Sequence, residues 1–107
     1  MTDFISIHIT TSSVAEAEKI AHALVEEKLA ACANIVPGVK SIYRWKDKVE
    51  AGDEVYLLVK TRAELFGAVE AKVKDLHSYE CPCIVALPIT DGHQPFLDWL
   101  AESTQSL

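Results

Sequence analysis

Ile5, Ile7 and Ile9 alternate with Ser6, His8 and Thr10, a period of two that predicts a strand near the start of the chain. Ser13-Val14-Ala15-Glu16 follows as a capping box, in which the serine caps the amide of Glu16 while the glutamate reaches back, so a helix is expected to begin there. Val14, Ala17, Ile20, Ala21, Leu24 and Val25 recur at three-and-four spacing, and Glu16, Glu18, Lys19, Glu26 and Glu27 take the opposite side. That helix should lay one face on a sheet.

From about Ala31 to Thr61 the chain is rich in Val, Ile and Tyr, with Pro37-Gly38 as a bulge and a polar tip near Asp47, which predicts one long hairpin. Arms of about 13 to 15 residues would reach roughly 45 Å at the strand rise of about 3.3 Å per residue. One small globule cannot cover arms of that length. Thr61-Arg62-Ala63-Glu64 reads as a second capping box, and Leu65, Phe66, Val69, Val73 and Leu76 supply a second helical stripe. The segment Cys83 to Ile89, CIVALPI, reads as a buried strand, and Pro95 marks the start of a last helix with Phe96, Leu97 and Leu100 facing inward.

The resulting order, β-α-β-β-α-β plus a C-terminal helix, is the ferredoxin-like pattern of the α+β class, with two helices on one face of a four-stranded antiparallel sheet. Apolar residues nevertheless occupy both alternation phases of two strands: Val55, Leu57 and Val59 beside Tyr56 and Leu58, and Val85 and Leu87 beside Ile84 and Ala86. Both faces therefore need cover, and one set of helices covers one face. Another subunit is expected to supply the second cover.

Composition narrows the partners. The chain has 107 residues, half of them apolar, which suits one domain over 1–107. A net charge of -6 with no basic cluster opposes a nucleic-acid partner. No basic, apolar leader and no membrane-length apolar run is present, so a soluble, cytoplasmic protein is expected, with no membrane partner. Cys32, Cys81 and Cys83 are odd in number and read as free thiols.

The blocks Leu24 to Glu50, LVEEKLAACANIVPGVKSIYRWKDKVE, then LLVKT, HSYECP and ALPITDG in that order resemble the CutA divalent-cation tolerance family. The resemblance covers nearly the whole chain. It implies a ferredoxin-like homotrimer similar in architecture to the PII signalling proteins, whose hairpins reach neighbouring subunits. It also implies a role in divalent-cation tolerance with copper binding, and no enzymatic activity. A PII-like signalling or scaffold trimer, taking a small molecule or a partner protein in its inter-subunit clefts, is the alternative.

Imidazole and thiolate are ligands that copper and zinc favour, so His77, Cys81 and Cys83 form the candidate metal set. His77 should sit accessible at a helix-loop edge, and two thiols at every second position of a strand would face one side. The competing reading makes HSYECPC the entry to a core strand, with the thiols as small hydrophobes. Ser78 replaces the proline of the family's HPYE-type motif. Cys32 is expected in the core, His8 and His22 solvated or interfacial, and His93 as a cap or surface residue. Tyr43, Arg44 and Trp45 are expected at the subunit interface, since aromatics and arginine are enriched there. No nucleophile elbow, phosphate loop or HExxH motif accompanies them.

Overall fold

A computed structural model describes residues 3–106. Strand β1 (Phe4–Thr11), helix α1 (Val14–Glu26), strands β2 (Cys32–Trp45) and β3 (Lys48–Arg62), helix α2 (Phe66–Leu76), strand β4 (Ile84–Pro88) and helix α3 (Gln94–Glu102) follow in that order. The strands form one antiparallel sheet in the order β2-β3-β1-β4. Ile5, Ile7 and Ile9 on β1 and Leu57 and Val59 on β3 point to one face. There they pack with Ile20 and Leu24 of α1 and Val69 and Val73 of α2 as a single buried core. The alternation in the sequence is the cause: each second residue of β1 is buried and its neighbours are not.

The first capping box forms with one change of partner. Ser13 Oγ accepts the Glu16 amide at 3.1 Å, but the Glu16 carboxylate reaches back to Ser12 rather than to Ser13. The second capping box does not form. Thr61 is still within β3, fully buried, and its hydroxyl donates to Leu29 O at 2.6 Å. A short 3-10 turn over Ala63–Leu65 starts the helical segment without any side-chain cap.

The long hairpin is present, with arms of 14 and 15 residues. Its register shifts between Val36 and Val39, where Gly38 takes φ +80, so the expected bulge at Pro37-Gly38 is real. At the tip, Lys46 and Asp47 both have positive φ between the paired Trp45 and Lys48, the twist a two-residue hairpin turn requires. Every residue from 42 to 53 is exposed. The molecule measures 44 × 25 × 23 Å, and its radius of gyration of 14.3 Å exceeds the roughly 13 Å of a compact chain this long.

The sheet face opposite α1 and α2 lies open in the single chain. The pairings Val36 with Tyr56, Tyr56 with Thr10, and His8 with Val85 put these side chains on that face. Val36, Tyr56, Val85 and Leu87 are 42%, 37%, 50% and 47% exposed. Strand β4, expected to be buried, is an edge strand whose residues beyond Ile84 are exposed within one chain.

Candidate functional site

Helix α2 ends at Leu76, and His77 is its C-cap, with φ -81 and ψ 143 turning the backbone out of the helix. Against expectation, the imidazole turns inward and its side chain is fully buried. Nε2 lies 2.7 Å from Thr10 O, and Nδ1 accepts the Tyr79 N–H at 3.1 Å. A carbonyl can only accept, so Nε2 carries the proton and both ring nitrogens are occupied. Strand β4 pairs with β1 only as far as Ile9, and just beyond it the imidazole takes the Thr10 carbonyl.

Two further contacts tie down the segment after His77. Ser78 N–H donates to Glu16 Oε2 at 2.7 Å, while Glu16 Oε1 accepts from Ser12 N–H at 2.9 Å and Ser12 Oγ at 3.0 Å. Burial pushes the Glu16 carboxyl up, but these hydrogen bonds from Ser12 and Ser78 outweigh it and hold the group at about 2. A proline at position 78 would have no N–H to give, so the departure from the HPYE-type motif has a structural use here. Tyr79 lies against His77 with ring centroids 4.6 Å apart, and its hydroxyl donates to Glu54 Oε2 at 2.8 Å. Burial and then the Glu54 hydrogen bond push the Tyr79 hydroxyl up, so it remains a donor. The segment is thus fixed to α1, β1 and β3 at once.

Cys81 and Cys83 stand outside β4, which begins at Ile84, and both are exposed. Strand alternation therefore does not align them, and Cys83 is not drawn into the core. Partial burial, and then the Glu54 carboxylate, push the Cys83 thiol up. Among the described residues, no group of three His, Cys, Asp or Glu side chains is gathered closely enough to hold a metal ion, so His77, Cys81 and Cys83 do not form a ready-made centre. Cys32 is half-buried at the start of β2, not in the core. His22 is exposed beside Glu26, His8 lies on the open sheet face near Tyr56, and His93 precedes α3 without a side-chain cap bond.

Alternation separates the three candidate interface residues. Tyr43 and Trp45 share a face with Glu50 and Lys48 opposite them, whereas Arg44 shares the other face with Val49. Tyr43 and Trp45 wall a cleft of about 220 Å³ with Glu54, Tyr79, Glu80 and Cys81. Sequence reasoning missed Glu54 and Glu80 as site residues; the aromatic pair at two-residue spacing on the hairpin was the available signal. A larger groove of about 540 Å³ runs between α1 and β2, lined by Val14, Ala21, Val25 and Ile35 among others. Its lining is mostly apolar, with Glu18 and His22 at it, and it brings together none of the candidate ligands.

Comparison with known proteins agrees with this architecture. The family described as CutA1 divalent ion tolerance protein matches residues 5–103. A divalent-cation tolerance protein CutA from Thermus thermophilus is 54% identical over 96 residues, covering 90% of this chain and 93% of that protein. The solved structure of the Thermus thermophilus Cut A1 protein superposes with a TM-score of 0.93 at 51% identity, over 95% of this chain and 99% of that one. The structure of a protein described as the periplasmic divalent cation tolerance protein CutA, from Archaeoglobus fulgidus, gives a TM-score of 0.92 at 49% identity, over 95% and 99% of the two chains.

Proposed function

The chain belongs to the CutA1 divalent ion tolerance family, and on that premise we propose that it works as a cytoplasmic homotrimer that binds copper, or another thiol-seeking cation, through Cys81 and Cys83. The observation that carries the metal reading is the pair of exposed thiols flanking Pro82. Thiolates are the soft donors that select copper over harder cations. His77 is left out of the ligand set, because its ring nitrogens already serve Thr10 and Tyr79. Two thiols leave coordination open, so water or a side chain of a second copy completes it. The assembly rests on the open face of Val36, Tyr56, Val85 and Leu87 and on the uncovered hairpin arm. No catalytic step is part of this reading, since the role is to hold an ion.

Copper titration of the full chain tests it. Cys81→Ser and Cys83→Ser should each weaken binding at least tenfold, about 1.4 kcal/mol, without changing the subunit count. His77→Ala should lower stability and leave affinity within threefold. Unchanged affinity in both serine variants would remove the metal assignment.

A second reading, a PII-like trimer that takes a small molecule, is favoured by a separate observation: the aromatic and acidic cleft of Tyr43, Trp45, Glu54, Tyr79 and Glu80.

A further inference from the structure

The cleft between the hairpin arm and the 77–83 segment has a composition that selects its occupant. Two aromatic side chains, Tyr43 and Trp45, rise from β2, and two carboxylates, Glu54 and Glu80, come from β3 and the loop. Tyr79 donates its hydroxyl to Glu54 Oε2, which fixes that carboxylate at the wall and leaves Glu54 Oε1 without a hydrogen-bond partner among the described residues. Neither Glu54 nor Glu80 forms an ion pair among the described residues. Two hairpin lysines neighbour Trp45, Lys48 as its cross-strand partner and Lys46 with Nζ 5.7 Å from the ring centroid, but neither lines the cleft.

Electron-rich ring faces and unpaired carboxylates attract the same partner, a cation with an apolar or planar body. The rings meet its weakly hydrated surface, and the carboxylates meet its charge. A bare, strongly hydrated divalent ion would meet the carboxylates but leave the ring faces of Tyr43 and Trp45 unused. Phosphates and carboxylates are repelled.

We infer that the cleft formed by Tyr43, Trp45, Glu54, Tyr79 and Glu80 is a binding site for an organic cation, a guanidinium or alkylammonium group. The inference rests on the second reading above and gives it a ligand class. Two sources can supply that group: a free small molecule, or the side chain of a neighbouring copy. For the second source the hairpin itself offers Arg44, exposed, on the face opposite Tyr43 and Trp45, and without an ion pair among the described residues. A donor on one face and an acceptor on the other make a head-to-tail contact, the kind that closes into a ring.

The chain contains two tryptophans, so Trp99→Phe leaves Trp45 as the sole indole reporter. In that background, Trp45 fluorescence is titrated with tetramethylammonium and with arginine amide, and with tert-butanol as the neutral counterpart. A free ligand predicts saturable quenching by the cations, no saturation with tert-butanol, and at least tenfold weaker binding in Glu54→Gln and Glu80→Gln. A cation supplied by the neighbour predicts no binding until Arg44→Ala vacates the cleft, after which the cations bind with the same dependence on Glu54 and Glu80. Either pattern supports the assignment. Saturation by tert-butanol as strong as that by the cations would keep a small-molecule cleft and overturn the cationic class. No binding in either background, with assembly unchanged by sedimentation, would overturn the site itself.

Discussion

Replacing Glu16 by Gln removes the charge at the centre of the lock on the 77–83 segment. The carboxylate accepts hydrogen bonds from Ser12 N–H, Ser12 Oγ and Ser78 N–H at 2.9, 3.0 and 2.7 Å. Burial raises its pKa and these bonds more than reverse that, bringing it from 4.5 to about 2. A carboxyl depressed in the folded state contributes stability that is fully present above its unfolded pKa, near 4.5, and is lost as pH falls through about 2. At about 1.4 kcal/mol per pH unit, the gap between 4.5 and about 2 sets an upper bound of about 3 kcal/mol. Solvent screening at the partly exposed end of the contact, and the neutral hydrogen bonds that Gln retains, reduce the expected loss to about 1 to 2 kcal/mol per chain. Urea denaturation followed by far-UV circular dichroism, at equal subunit concentration and at pH 7, 5, 3.5 and 2.5, reads the difference between wild type and Glu16→Gln. The difference should be about the same at pH 7 and pH 5, both above the unfolded pKa, and shrink through pH 3.5 to pH 2.5 as the unfolded carboxyl takes up a proton that the folded one still resists. A difference that stays constant over this range, or is absent at pH 7, would refute the assignment of Glu16 as an ionised lock.

Ser78→Pro should cost about 1 kcal/mol at pH 7 and measurably less at pH 2.5 in the same assay. It deletes the 2.7 Å bond to Glu16 while His77, at φ -81 and ψ 143, already has the backbone a proline demands of its predecessor. Gly38→Ala should cost about 1 kcal/mol in equilibrium denaturation: φ is +80, yet nothing lies within 4 Å of the added Cβ, so the penalty is conformational and not steric. Leu87→Asp should leave the fold of the chain intact by circular dichroism and weaken self-association in sedimentation, because Leu87 is half exposed on the open face and remote from the core.

The element order was legible because it depends on neighbours in sequence. The alternation of Ile5 to Ile9, the stripe of α1 and the Pro37-Gly38 bulge each act over a few residues. The first and last have their expected form, and the stripe is buried at Ala17, Ile20, Ala21 and Leu24 but exposed at Val14 and Val25. The 77–83 segment was not legible in the same way. His77 is buried by a carbonyl 67 positions away, and Ser78 is held by a carboxylate 62 positions away. Nothing local distinguishes such a histidine from an exposed ligand. Thr61 illustrates the same limit: its hydroxyl satisfies Leu29 O across the fold, so a sequence match to a capping box gives way to a tertiary contact. The two-sided apolar pattern of β3 and β4 was readable as a demand for cover, and the exposed Tyr56, Val85 and Leu87 are that demand in structural form.

Sedimentation equilibrium at micromolar concentration tests most directly the claim that copies of this chain cover the open face. Three copies closing over that face give a species of three times 11.8 kDa, about 35 kDa, that Leu87→Asp should shift towards smaller mass. A stable wild-type monomer of 11.8 kDa under the same conditions would contradict it.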